Sequence, residues 1–260
     1  MDAVFDTLRE SFGAFIAFGF LLLLLLLRLD AERFGAAEYD EAGRDGRPPS
    51  LRRRLGWYIV GLGLVATAAA IHPRPANEIF FVLGDRLQVL VYGLGYGLLG
   101  TAQAVLFAVL RYHHLRWPDV RSYPGSVLNT VATAFIDEAT FRGLLLGFIL
   151  LAGVDPTLAN LVQALVYALA TRVAAPGRDR YMLVLVLVLG LAGGWVTIQT
   201  GGIGAAIIGH TITRVAMFLA TGHAGQVARR GAEEEDIDNR LRPPDGWSVI
   251  GAPEFPGSER

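Results

Sequence analysis

Cysteine is absent from the 260 residues, and so is lysine: all 23 basic residues are arginine. Without cysteine the chain has no disulfide, no thiolate nucleophile and no Cys-based metal site. The missing lysine fits a GC-rich coding bias better than a chemical demand. No charge of either sign dominates, since 23 basic residues face 24 acidic ones, and nothing in that balance suits nucleic acid. No H-E-x-x-H occurs, so a zincin-type or site-2-type metalloprotease is unsupported. The amino terminus also lacks a basic leader: Asp2, Asp6 and Glu10 outweigh Arg9, the wrong sign for a secretory signal. What the chain has in excess is apolar residues, 53% of the total with a mean hydropathy of +0.43, in long blocks parted by short charged segments. That is the profile of an all-α, polytopic membrane helix bundle.

Seven apolar segments are expected to span: Phe12–Leu27, Leu55–Ile71, Leu87–Leu110, Pro124–Leu151, Thr157–Ala170, Tyr181–Ile198 and Gly202–Ala220. Arg28 ends the first, where its guanidinium is expected to snorkel to the interface. Phe80–Leu83 is too short to span and reads as a turn before the third helix. Gly93 and Gly97, with Gly100 near, read as a close-packing helix face. Alternate connections hold 18 and 3 arginines, while Arg142 and Arg214 lie inside helices. By the positive-inside rule this asymmetry puts the amino terminus outside and the carboxyl terminus in the cytoplasm. The expected location is a bacterial plasma membrane. Residues 1–221 form the membrane domain, and the acidic, proline-containing tail 222–260 is expected to be disordered.

The polarity inside the membrane is concentrated in three places. Asp137-Glu138-x-x-x-Arg142-Gly143 lies mid-way along the fourth span. Tyr167 and Thr171 close the fifth. His210-Thr211-Ile212-Thr213-Arg214 lies in the last, after Gly194-Trp195-Val196-Thr197-Ile198-Gln199-Thr200-Gly201-Gly202-Ile203-Gly204. Ionised groups in hydrocarbon cost at least about 2.5 kcal/mol each, so they mark function or a specific pairing. Glu138 and Arg142, four apart, share a helix face, whereas Asp137 points about 100° away from Glu138. One acid can pair within the helix while the other stays free.

These motifs resemble the CPBP intramembrane proteases, the group of CAAX prenyl endopeptidases and bacteriocin-processing proteins. Members carry E-E-x-x-x-R-G, then F-x-x-x-H, then H-x-x-x-N or H-x-x-x-D after a G-W approach. The resemblance covers roughly residues 124–220. It implies a site between the fourth, fifth and seventh spans, with Asp137 as general base, Glu138 and Arg142 as a structural pair, and His210 as oxyanion or water partner. Tyr167, Thr171 and Arg214 would support that site. It also implies hydrolysis of membrane-associated peptide or protein substrates by carboxylate-activated water, with no organic cofactor. A zinc ion held by Asp137, Glu138 and His210 is disfavoured by the two arginines beside them. Membrane lipid is the only other partner implied.

Three positions depart from the family pattern. Asp137 replaces glutamate and withdraws the carboxylate by one methylene. Thr171 stands where a histidine is expected and cannot shuttle a proton near neutral pH. Arg214 stands in place of a neutral amide or an acid. Two acids and two arginines are neutral as a set, and such a cluster can serve only to fix helix register. The readings that remain open are an endopeptidase, a catalytically silent homologue acting as a membrane-protein partner or assembly factor, and a small transporter.

Overall fold

A computed structural model describes residues 2–31, 33–34, 36, 51–113, 115–118, 124–174, 180–221 and 247–250. The apolar blocks are helical close to the residues expected, except that the first helix begins at Asp2 rather than Phe12. They form α1 (Asp2–Leu29), α2 (Leu51–Ile71), α4 (Arg86–Tyr112), α7 (Pro156–Ala174), α8 (Met182–Thr200) and α9 (Gly204–Thr221). These six are long and apolar enough to cross a membrane, so the chain is a polytopic helical bundle.

The fourth expected span departs from expectation. Residues 124–151 are helical from end to end, but as α5 (Pro124–Glu138), a π-helical stretch Ala139–Leu145 and α6 (Leu146–Leu151). Hydropathy carries no trace of this, because a π segment is a local change of hydrogen-bond register. Such segments recur at functional sites. The Thr140 hydroxyl donates to the Ile136 carbonyl at 2.7 Å at its start, a back-bond that commonly bends helices.

Small residues let the helices close on one another. On α4, Gly93 faces Ala205 and Ile208, Gly97 faces Ile212, and Gly100 faces Thr213 of α9. A second face of α4 presents Leu87, Leu90, Leu94 and Leu98, all well exposed, at the spacing of a lipid-facing stripe. A short helix, α3 (Pro75–Glu78), leads into residues 79–84, which cover one end of the bundle. There the Ile203 amide donates to the Phe80 and Val82 carbonyls, and Ile79 lies over Gly143 and Gly147.

Part of the tail has structure. Trp247–Ile250 forms β2, antiparallel to β1 (Leu115–Pro118), with Leu115 opposite Ile250. Those four residues depart from the disorder expected of 222–260; the rest of the tail lies outside the described residues.

Candidate functional site

The fourth helical run brings its acids inward, and each finds a different partner. Glu138, fully buried, lies between two groups. Its Oε2 is 3.2 Å from Arg142 Nε, one turn on, and its Oε1 is 2.6 Å from His210 Nδ1 on α9. A carboxylate at that nitrogen holds the ring proton on Nδ1 and leaves Nε2 with its lone pair. His210 Nε2 in turn stands 3.5 Å from the Tyr167 hydroxyl of α7. Arg142 stacks over the Tyr167 ring with its guanidinium carbon 4.2 Å from the centroid, and Phe141 meets the same ring edge-on. Four residues on three helices thus form one closed chain of contacts.

Asp137 turns elsewhere. Its Oδ1 lies 3.0 Å from Nε of Arg28, and the two side chains are only 1% and 6% exposed. Arg28 therefore does not snorkel to the interface. α1 continues to Leu29, which keeps Arg28 against the bundle, and the ion pair with Asp137 replaces the interfacial water. The Trp57 indole of α2 donates to the Leu27 carbonyl at 3.0 Å, holding that end of α1 in place.

Arg214 does not form a bidentate pair with Asp137. Its Nη2 donates to Asn129 Oδ1 at 2.9 Å, and Asn129 Nδ2 donates to the Tyr58 hydroxyl at 2.7 Å. This ties α9 to α5 and α2. Asp137 and Arg28 remain within electrostatic range of Arg214. Thr171 is buried one turn beyond Tyr167, and its hydroxyl has no hydrogen-bond partner among the described residues.

The structure therefore brings together Asp137, Glu138, Arg142, Tyr167, His210 and Arg214, and keeps Thr171 on the same buried face of α7 as Tyr167. Sequence reasoning missed Arg28, Asn129, Tyr58 and Tyr96, the last a buried tyrosine within range of Glu138 and Arg142. Asn129 had a signal: with Thr133 and Asp137 it repeats every four residues along one face of α5. Arg28 had a weaker one. Glu138 satisfies Arg142 within the helix, so Asp137 needs a cation from another element.

As a cation site the arrangement is poor. Glu138 and His210 bind each other while Asp137 faces an arginine, and among the described residues no three His, Asp or Glu side chains are set to hold a metal ion.

Residues 119–216 match the family described as Rce1-like, Type II CAAX prenyl endopeptidase Rce1-like. No curated protein and no solved structure matches the chain. The matched segment contains every sequence-predicted site residue and excludes Arg28, Tyr58 and Tyr96. Over residues 119–216, then, this chain is similar to the family of type II CAAX prenyl endopeptidases described as Rce1-like.

Proposed function

We propose that the protein is an intramembrane endopeptidase that hydrolyses peptide bonds of membrane-associated substrates, with its amino terminus outside and its carboxyl terminus in the cytoplasm. The observation that carries this reading is the Glu138–His210 contact of 2.6 Å, buried beside the Tyr167 hydroxyl. An imidazole fixed by a carboxylate on one nitrogen is a general base on the other. His210 Nε2 takes a proton from water as the oxygen attacks the peptide carbonyl. The tetrahedral oxygen then gains its stabilisation from the Tyr167 hydroxyl and the guanidinium groups that surround the site. His210 finally returns the proton to the leaving amine.

In this assignment Glu138 orients and Asp137 holds the charge of Arg28, which moves the base from Asp137 to His210. Peptide cleavage by protein reconstituted in lipid tests it. His210→Ala is expected to lower the rate by about 100-fold or more, and Glu138→Gln by a comparable factor, while Asp137→Asn retains most activity. Loss in Asp137→Asn with His210→Ala little affected would return the base to Asp137.

A second reading is favoured by one feature, the buried Arg28–Asp137 pair, which occupies the carboxylate that the family pattern makes available. In that reading the chain is a silent homologue that binds or assembles a membrane partner. Wild-type protein that cleaves no membrane peptide, with Asp137→Asn indistinguishable from it, would select this account.

A further inference from the structure

Tyr96 of α4 is only 3% exposed, and it lies outside the residues that match the family model. Its place is set by glycines on two helices. Gly93, Gly97 and Gly100 bring α9 close to α4, and the Tyr96 ring lies over Gly209 of α9. A methyl group at Gly209 would collide with Cβ, Cγ and Cδ1 of Tyr96. Gly209 precedes His210 in the chain, so the ring rests on the backbone that carries the proposed base. Tyr96 also shares an apolar cluster with Leu189 of α8, whose carbonyl accepts from Arg142 Nη2 at 3.4 Å.

Packing accounts for the ring but not for the hydroxyl. A phenylalanine would cover Gly209 equally well and bury no polar atom. Instead a phenol oxygen is buried with no hydrogen-bond partner among the described residues, at a cost of about 1–3 kcal/mol. The hydroxyls of two other buried tyrosines are engaged, Tyr58 with Asn129 and Tyr167 with His210. Charge reaches Tyr96 chiefly from Glu138 and Arg142. Both carry a buried atom in the same condition: Arg142 Nη1 lacks a hydrogen bond, and Glu138 Oε2 meets Arg142 as an ion pair without one. A phenol can donate to the carboxylate while accepting from the guanidinium, and an ordered water can carry both bonds.

We propose that Tyr96 is a positioning residue of the hydrolytic site: its ring seats His210 through Gly209, and its hydroxyl restrains the Glu138 carboxylate that fixes the His210 tautomer. The inference rests on the hydrolytic reading for the role of His210, but the tautomer is read without any cleavage. Restrained from the Tyr96 side, Glu138 keeps Oε1 on His210 Nδ1, and Nε2 keeps its lone pair for water. Without that restraint the carboxylate turns towards Arg142, and the imidazole carries its proton on either nitrogen.

The test uses the full chain in nanodiscs, labelled with 15N-histidine. Five histidines are present, and His210 is assigned by the signal lost in His210→Ala. Wild type is expected to show the Nδ1–H form at His210. Tyr96→Phe keeps the ring and drops the hydroxyl; it should show both tautomers, with an unfolding temperature no lower than wild type. Its kcat for membrane-peptide cleavage should fall by about 10- to 100-fold with KM unaltered. Gly209→Ala keeps the hydroxyl but displaces the ring, and should mix the tautomers as well. Tyr92→Phe, a control on the same helix that meets Trp195, should match wild type in both readouts. A Tyr96→Phe protein with the wild-type tautomer, or with the wild-type kcat, overturns the proposal. The hydrolytic reading fails separately. If wild type cleaves no membrane peptide while Tyr96→Phe still mixes the tautomers, Tyr96 positions His210 in a protein that is not a peptidase.

Discussion

Each buried acid differs in what its loss would expose. Removing one partner of a buried ion pair leaves the other charged and unsolvated, at a cost of about 3–5 kcal/mol. Asp137→Leu or Arg28→Met alone should therefore lower stability by that order. The double variant, with two apolar side chains facing each other, should recover most of it. Unfolding of the four proteins in detergent measures the coupling, and strictly additive losses would show that the pair at 3.0 Å contributes nothing. His72 offers a titration at the covered end of the bundle. It is buried, its Nδ1 accepts from the Arg74 amide at 3.3 Å, and Glu78 lies 3.7 Å from Nε2. Burial, with Arg74 nearby, holds its pKa below the ordinary 6.5. The unfolded chain thus binds the proton more readily, and stability contributed by neutral His72 is present above about pH 6.5 and declines as pH falls through that value. Unfolding midpoints between pH 7.5 and 5.5 should fall less steeply in His72→Gln; an unchanged slope would count against it. Of these residues, the Glu138–Arg142 pair was legible because both lie on one helix at a fixed spacing. The Arg28–Asp137 pair was not, since no local pattern links the end of the first span to the middle of the fourth.

Among the elements, hydropathy located most helix ends to within a few residues because apolar runs and their charged ends follow from lipid alone, but it missed the polar first turns of α1, from Asp2 to Ser11. It could not divide residues 124–151, where the change from α to π is a choice of carbonyl partner that leaves composition untouched. The glycines of α4 were legible as a packing face, and the structure supplies their partners. A methyl group added at Gly97 would come within 2.7 Å of the Ile212 Cδ1 atom, whereas Gly95, on the same helix, has nothing within 4 Å. Gly97→Ala forces the α4–α9 contact apart and should cost about 1–3 kcal/mol. Gly95→Ala should be neutral or stabilise the helix by up to about 1 kcal/mol. Thermal unfolding of the two variants compares them directly, and equal effects would remove the argument that this face sets the helix separation. A further consequence falls on the site. Gly97 and Gly100 seat Ile212 and Thr213 of α9, within one turn of His210, so Gly97→Ala should also weaken any reaction that depends on the Glu138 contact.

At the level of the whole molecule, the segment that matches the family model does not contain its own supports. Residues 119–216 match the Rce1-like model, yet the counter-ion of Asp137 comes from α1, the partner of Asn129 from α2, and the cover over Gly143 and Gly147 from residues 78–81. Helices in lipid insert separately and then associate through packing and buried polar contacts, so these supports need proximity more than covalent linkage. A fragment of residues 119–221 should accordingly insert but fail to assemble: Asp137 loses Arg28 and α9 loses the α4 face on which it packs. Supplying residues 1–113 as a separate chain should restore a single complex, because the break between the pieces falls between α4 and α5. Size-exclusion chromatography in detergent, with the two pieces differently tagged, reads the outcome. A fragment 119–221 that is monodisperse and as stable alone as with its complement would show that Arg28 and Tyr58 are dispensable to the fold. Co-elution that is lost in Arg28→Met would place the reason for their association at the buried ion pair.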